Sequence, residues 1–254
     1  MPNPLIDVQN LVTHYGDRLI LDDISFGVGE REIFVVIGGS GCGKSTLFKH
    51  MAGLLRPTSG RVLYSGVDIT GMDEDELAAM QRNIGIAFQS SGLFNSMSVG
   101  ENVALPLREY GGVDEELIGP LVRLKLSLVG LDGAENLMPG ELSGGMRKRA
   151  GLARAIALDP PVVYFDEPSA GLDPIMASGL DQLILDLKQL LGITVIIVTH
   201  ELESIKTVAD RILMLDRGKL IFLGTRAEAL SCDVERVRQF FDRRPDASMI
   251  QRSA

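Results

Sequence analysis

The chain has 254 residues, of which 45% are hydrophobic, so it can form one large α/β domain or two small lobes with a sizeable core. Its net charge of −9 disfavours nucleic-acid binding, which requires a basic face. No apolar run reaches the roughly 18 residues that span a membrane, and the first residues lack the basic region of a secretory signal. We therefore expect a cytoplasmic chain in which both cysteines, Cys42 and Cys232, are free thiols.

The first predicted elements are two antiparallel strands at residues 5–12 and 19–26, where apolar and polar residues alternate. Tyr15 lies in the turn region between them. The continuous apolar run at residues 33–37 predicts a buried strand, and residues 46–52 have the pattern of a helix. A glycine-rich segment joins this strand to this helix.

That segment fits the motif G-x-x-x-x-G-K-[ST], and the motif requires a strand before it and a helix after it. Glycines let backbone amides wrap around phosphates, and the helix N-terminus adds partial positive charge there. Lys44 can reach the β- and γ-phosphates, and Ser45 can ligate Mg²⁺. Cys42 occupies a position that tolerates many residues. The predicted phosphate loop consists of Gly38, Gly39, Ser40, Gly41, Cys42, Gly43, Lys44, Ser45 and Thr46.

Beyond the loop, a turn is predicted at residues 57–60, a strand at 61–64 and a short buried strand at 84–88 that ends at Gln89. Two pairs have the spacing of a capping box and so predict helix starts. These pairs are Asp73 with Glu76 and, near the C-terminus, Thr225 with Glu228.

Residues 90–158 contain no strong strand pattern, and we expect a helical lobe inserted into the α/β core. The helical segments lie at residues 99–110, 114–130 and 143–158, and we expect Pro106, Pro120 and Pro139 to break them. The basic run at residues 147–149 is interpreted as a solvated helix face.

Two further apolar runs, residues 162–165 and 193–198, predict central parallel strands. The first ends in Asp166 and Glu167, at the sheet edge where α/β proteins bind ligands. In nucleotide hydrolases the first acid supports Mg²⁺ and the second polarises a water. Ser143 suits the N-cap of the helix after it, and its hydroxyl with the following free amides predicts a second anion site.

At this point the chain resembles the ATP-binding cassette (ABC) transporter ATPases, and the resemblance covers nearly all of it. The matching elements occur in the order that the family has them. They are the phosphate loop from Gly38 to Thr46, Gln89 of the Q-loop, the signature Leu142-Ser143-Gly144-Gly145-Met146, the acids Asp166 and Glu167, the D-loop from Ser169 to Asp173, and the switch His200, with Tyr15 where the family has an adenine-stacking aromatic.

The resemblance implies a P-loop NTPase (RecA-like) α/β core with an antiparallel β subdomain and an inserted helical subdomain. Residues 1–241 would be a single nucleotide-binding domain, with the helical part at about 90–158 and a tail at 242–254. It also implies ATP and Mg²⁺ as cofactors. The metal would be held by Ser45, Gln89 and Asp166, and the catalytic residues would be Glu167, His200 and Gln89.

In this family two copies pair head to tail, so that ATP lies between the phosphate loop of one copy and the signature of the other. The resemblance thus implies a homodimer in which Ser143, Gly144, Gly145 and Asp173 act at the dimer interface. It also implies integral-membrane permease subunits as partners, and a peripheral location on the cytoplasmic face of the inner membrane.

The signature departs from the common family form, because Met146 stands where glutamine is usual. The run from Met146 to Ala157, with the stretch from Phe165 to Ile175, is similar to the Mla/MCE-type ATPases of bacterial phospholipid transport. That likeness implies an MCE-type lipid-binding partner. An ATPase for amino-acid or lipoprotein transport, a soluble ABC protein of translation or repair, and a binding module without turnover are the alternatives.

Overall fold

In the computed structural model, which describes residues 4–245, the chain forms two sheets and a set of helices. Within that range the strands are β1 (Ile6–Tyr15), β2 (Arg18–Val28), β3 (Ile33–Gly38), β4 (Ser59–Tyr64), β5 (Val67–Asp68), β6 (Ile84–Ala87), β7 (Val162–Asp166), β8 (Thr194–Val198), β9 (Arg211–Asp216) and β10 (Lys219–Thr225). The helices are α1 (Lys44–Met51), α2 (Glu74–Gln81), α3 (Val99–Tyr110), α4 (Glu115–Leu128), α5 (Gly144–Ala155), α6 (Pro174–Leu191), α7 (Leu202–Val208), α8 (Arg226–Leu230) and α9 (Glu235–Phe241). No helix in this range is long and apolar enough to cross a membrane.

The smaller sheet has the strand order β2-β1-β4-β5 and is antiparallel. It begins with the predicted hairpin, in which Tyr15 pairs with Arg18 across the turn. The larger sheet has the order β10-β9-β3-β8-β7-β6, and only β10 runs antiparallel to its neighbour. Because its other strands are parallel, the segments after β3, β6, β7 and β8 all meet at one edge.

The larger sheet is covered on both faces, and alternate residues of each central strand enter different cores. In β3, Phe34 and Val36 belong to a core shared with α1 and the antiparallel sheet. Val35 and Ile37 belong to the core formed with the helices. All six residues of β3 are buried, which explains the continuous apolar run in the sequence.

The helices α3, α4 and α5 lie between β6 and β7 in the chain, which confirms an insertion of helices into the α/β core. The prediction that prolines break them is wrong for two of the three. Pro106 lies inside α3 and Pro120 inside α4, whereas Pro139 begins a short 3-10 turn. A proline inside a helix costs about 3 kcal/mol, but each buried aliphatic side chain contributes about 1.5–3 kcal/mol. The buried aliphatic residues on these two helices are Val99, Val103, Ala104, Leu107, Ile118, Val122 and Leu126.

Both predicted capping boxes are present. The side chain of Asp73 accepts from the amide of Glu76 at the start of α2, and Thr225 accepts from that of Glu228 at the start of α8. Of the predicted tail, residues 242–245 hydrogen-bond back to α9, and residues 246–254 lie outside the described part of the chain.

Candidate functional site

The predicted phosphate loop follows β3 and leads into α1, and its backbone requires glycine at two points. Gly38 has a φ of +147°, and a Cβ there would meet the carbonyl oxygen of Leu215 at 2.2 Å. Gly43 has a φ of +108°, and a Cβ there would meet Leu21 at 2.6 Å. Any other residue is strained in both positions, so the loop can approach its surroundings closely only with glycine.

Lys44 is folded onto the loop itself. Its Nζ donates to the carbonyl oxygens of Gly38 at 2.9 Å and of Gly39 at 3.0 Å. These bonds hold the ammonium group against the loop, where its positive charge would attract an anion. Gly41, at the loop tip, has open space around it. A preformed glycine cradle with a half-buried cation fits the phosphates of a nucleotide.

Tyr15 is half-exposed at the end of β1, and its hydroxyl lies 3.4 Å from Oγ1 of Thr46 in the first turn of α1. The structure thus brings this exposed ring next to the phosphate loop, although the two segments are about 30 residues apart in the chain. An aromatic face open to solvent in this position can stack on a base.

Asp166 is the last residue of β7 and Glu167 follows it, beside β8 in the sheet. Burial raises the pKa of the Asp166 carboxyl, as does the neighbouring Glu167, whereas Lys148, Lys44 and Lys49 oppose this rise. Glu167 itself has a φ of +49°, a left-handed conformation that is uncommon for residues other than glycine. Backbone strain of this kind is concentrated at functional sites.

Both carboxylate oxygens of Glu167 have partners from the end of β8. Oε1 lies 2.8 Å from Nδ1 of His200, and Oε2 accepts from the Thr199 hydroxyl at 3.2 Å. The second ring nitrogen of His200, Nε2, lies 3.7 Å from Glu201. The structure therefore brings Glu167 and His200 together, as the parallel order of β7 and β8 dictates. Thr199, which the sequence analysis missed, is buried and positions the acid.

Gln89 is exposed in the loop after β6, at the same sheet edge. The backbone carbonyl oxygen of Gln89 accepts a hydrogen bond of 2.6 Å from Lys148, and Lys148 also donates to the backbone carbonyl of Glu167 at 3.1 Å. Each residue of the basic run donates to a backbone carbonyl: Arg147 to Leu142 and Arg149 to Val129. The interpretation of residues 147–149 as a solvated face is therefore wrong for the two half-buried members, Lys148 and Arg149.

Ser143 is the N-cap of α5, as predicted, and its hydroxyl accepts from the amide of Met146 at 3.2 Å. Gly144 and Gly145 begin that helix, and their close neighbours are Leu172 and Met176. Among residues 4–245, no hydrogen bond joins Ser143 to the phosphate loop. The glycines of this predicted anion site thus lie against the D-loop and α6.

The D-loop segment lies beside Glu167 in the chain and ends at Asp173, whose side chain caps α6 by accepting from the amides of Ile175 and Met176. Ser169 in this segment is 4% exposed. Its Oγ is a buried side-chain atom without a hydrogen-bond partner within the described residues. Such an atom costs free energy unless another group satisfies it.

No group of three or more His, Cys, Asp or Glu that could hold a metal occurs within residues 4–245. Mg²⁺ in nucleotide sites takes one or two protein ligands and fills its shell with phosphate and water. The half-buried Asp166 and the hydroxyl of Ser45 at the first turn of α1 fit such a limited role.

The chain matches the family model described as ABC transporter over residues 21–170. The probable ribonucleotide transport ATP-binding protein mkl of Mycobacterium leprae is 43% identical over 94% of this chain and 69% of its own length. The intermembrane phospholipid transport system ATP-binding protein MlaF of Haemophilus influenzae is 43% identical over 94% of this chain and 91% of its own. The MlaF protein of Escherichia coli K12 is 41% identical, with 94% and 88% covered.

Solved structures agree. A dimeric ATP-binding cassette in a post-hydrolysis state, bound to ADP and Pi, superposes with a TM-score of 0.79 at 30% identity and covers 87% of this chain and 98% of its own. The cbiO1 protein of Clostridium perfringens, part of an ABC transporter complex, has a TM-score of 0.84 at 29% identity, with 98% of both chains covered. The P-loop NTPase fold that the resemblance implied is confirmed. This chain belongs to the ABC transporter family, as one of its nucleotide-binding ATPase subunits.

Proposed function

We propose that this ATPase subunit drives the movement of phospholipid between bacterial membranes. The observation that supports this cargo is the 41–43% identity to MlaF proteins, which extends over 94% of this chain and 88–91% of theirs. The mkl proteins have the same level of identity, 43%, but their name refers to ribonucleotide transport, and this chain spans only 67–69% of their length. Ribonucleotide transport is therefore the second candidate.

Residues 1–241 form a single nucleotide-binding domain in this proposal, with residues 90–158 as its helical subdomain and 242–254 as a tail. The amides of the phosphate loop, together with Lys44, bind the ATP phosphates, and Tyr15 stacks on the adenine. The glycine cradle and the exposed ring beside it support these roles.

Ser45, Asp166 and Gln89 would hold Mg²⁺ together with the phosphates. When bound, it supplies positive charge that offsets charge on the phosphoryl group in transfer. Burial raises the pKa of the Asp166 carboxyl, and a divalent cation beside it would favour the ionised form again.

Glu167 accepts a proton from the water that attacks the γ-phosphorus, while the bond to the β-phosphate oxygen breaks and ADP leaves. Lys44 stabilises the charge on the transferring group, and His200 contacts the γ-phosphate. In the structure His200 instead contacts Glu167. Binding of ATP thus exchanges the partner of His200 and leaves one oxygen of Glu167 for water.

Hydrolysis takes place between two copies of the chain. Ser143, Gly144 and Gly145 of one copy bind the ATP held by the phosphate loop of the other, and Asp173 lies at the same interface. Two observations support this arrangement: Ser143 has no hydrogen bond to its own phosphate loop, and related solved cassettes are dimeric. ATP that binds only the closed pair drives closure, and its hydrolysis allows reopening.

Permease subunits dock in a groove of about 310 Å³ between the core and the inserted helices. Its walls come from α2, β6, α3 and the end of α5, and they include Arg82, Pro106, Tyr110 and Arg154. An exposed aromatic and two arginines suit a partner helix with apolar and acidic groups. The subunit then lies peripherally on the cytoplasmic face of the inner membrane, and an MCE-type protein completes the system.

The test is purification of the membrane complex that contains this chain, followed by mass spectrometry of its proteins and lipids. The proposal expects a multi-span permease, an MCE-type protein and bound phospholipid. A complex that binds ribonucleotides or amino acids, with a soluble solute-binding protein in place of the MCE-type partner, would contradict the cargo and leave the ATPase assignment intact.

A further inference from the structure

Helix α5 contacts the Q-loop along one side, through residues three positions apart. Lys148 donates to the Gln89 carbonyl at 2.6 Å, and Arg154 donates to the Gly92 carbonyl at 2.6 Å. Between them, a Cβ on Gly151 would meet the Ser91 carbonyl oxygen at 2.7 Å, so the helix and the loop backbone are in close contact. Residues three or four apart share a helix face, so this contact is continuous.

Lys148 extends this contact to the catalytic acid. The left-handed backbone of Glu167 has both of its polar groups restrained. Its amide donates to the Val198 carbonyl at 2.8 Å, and its carbonyl accepts from Lys148 at 3.1 Å and from the Ala170 amide at 3.2 Å. A strained conformation persists only where its surroundings determine it. Val198 supplies a restraint from β8, Ala170 supplies one from the following turn, and Lys148 supplies the one that comes from the inserted helices.

The ammonium group of Lys148 is poorly solvated in this position. Burial lowers its pKa, although the nearby carboxylates of Glu167 and Asp166 favour the charged form. The side chain thus gives up part of its hydration to bond two carbonyls. A solvent-facing lysine would show neither the lowered pKa nor the bonds to two carbonyls.

We propose that Lys148 is a positioning residue that fixes the backbone of Glu167 and joins it to the Q-loop and to the groove lined by Arg154. Movement of the inserted helices, when a permease helix presses on that groove, then reaches Glu167 through α5. The inference rests on the proposed catalytic role of Glu167. Lys148 contacts neither water nor nucleotide in this role, so its loss lowers turnover and leaves ATP affinity intact.

The test compares Lys148→Met, Lys148→Arg and Arg149→Met in the full chain, at a protein concentration where the rate per subunit no longer rises. Lys148→Met keeps the length of the side chain and removes the donor. We expect its kcat to fall about 10- to 100-fold, as for a reacting group misplaced by on the order of 1 Å. Its Kd for ATP stays within about two-fold of the native value. Lys148→Arg keeps the donors and restores most of the turnover.

Arg149→Met is the matched control, because Arg149 donates from the same helix to Val129, away from Glu167. Native turnover in Lys148→Met, or equal kcat losses in Lys148→Met and Arg149→Met at equal loss of stability, would overturn the inference. If Lys148→Met does not fold, Gly151→Ala tests the contact of α5 with the Q-loop, because its Cβ displaces Ser91 and with it the loop that Lys148 joins to Glu167. The same fall in kcat is expected, and native turnover would overturn the inference. Glu167→Gln is assayed in parallel: if it retains turnover, the role of Glu167 fails instead.

Discussion

Two alanine substitutions in the phosphate loop separate backbone conformation from close approach. Gly41→Ala and Gly38→Ala both place a side chain at positive φ, +72° and +147°. Around Gly41 nothing lies within 4 Å, so its variant has only the conformational cost of about 1–2 kcal/mol. At Gly38 the new Cβ would also lie 2.2 Å from the carbonyl oxygen of Leu215 and 2.6 Å from Sγ of Cys42.

The Leu215 oxygen belongs to β9, which pairs with β3 at Gly38, so it cannot move without disturbing the sheet. We therefore expect Gly38→Ala to cost more than about 4 kcal/mol, a loss that single substitutions reach only through strain or burial defects. At this chain length 1 kcal/mol shifts the melting temperature by about 2–4 °C. Gly41→Ala then lowers it by about 2–8 °C and Gly38→Ala by more than about 8 °C.

Thermal unfolding is followed by calorimetry in the absence of nucleotide, because a ligand that binds only the folded chain raises the melting temperature. Circular dichroism recorded about 20 °C below each transition checks that each variant is folded before it melts. If the two variants melt within experimental error of each other, close approach at Gly38 has no energetic consequence and the reasoning is refuted.

Three further outcomes are expected. Burial lowers the pKa of His50 below 6.5, so as the pH falls through 6.5 the unfolded chain takes up a proton that the folded chain resists, and stability decreases. In melts at several pH values, His50→Gln abolishes this dependence. Tyr15→Ala weakens ATP binding roughly 5- to 150-fold by calorimetric titration, since stacking contributes about 1–3 kcal/mol, whereas Tyr15→Phe keeps the affinity. Mixing Lys44→Ala with Ser143→Ala chains restores ATPase activity through the one intact composite site, and a crystal structure with ATP on Ser143 and Lys44 of the same chain would contradict this.

The sequence predicted the parts of the site that depend on short segments. The glycine loop, the acids after β7 and the histidine after β8 each follow an apolar run, and the parallel sheet brings the ends of such runs to one edge. Capping boxes at Asp73 and Thr225 were likewise local and correct.

Most features that sequence reasoning missed depend on packing between distant segments. Lys148 acquires its partners only when α5 packs against the loops after β6 and β7, and its neighbours in the chain carry the same charge. Pro106 and Pro120 stay inside helices because the buried faces of α3 and α4 outweigh the local cost. The long helix α6 was also overlooked, although Asp173 as N-cap, Pro174 and the left-handed Gly192 after its end were available signals.

In the proposed cycle, ATP closes a pair of these subunits and Glu167 opens it again by catalysing hydrolysis. Glu167→Gln keeps the shape of the side chain and removes the base, and Glu201→Gln, at an acid 3.7 Å from His200, is its control. Light scattering coupled to gel filtration measures the mass of each variant with and without ATP and Mg²⁺. We expect Glu167→Gln, with turnover abolished, to shift from the mass of one chain to that of two when ATP is added. Glu167→Gln that hydrolyses ATP at near the native rate, or that binds ATP and stays a single chain, would contradict it.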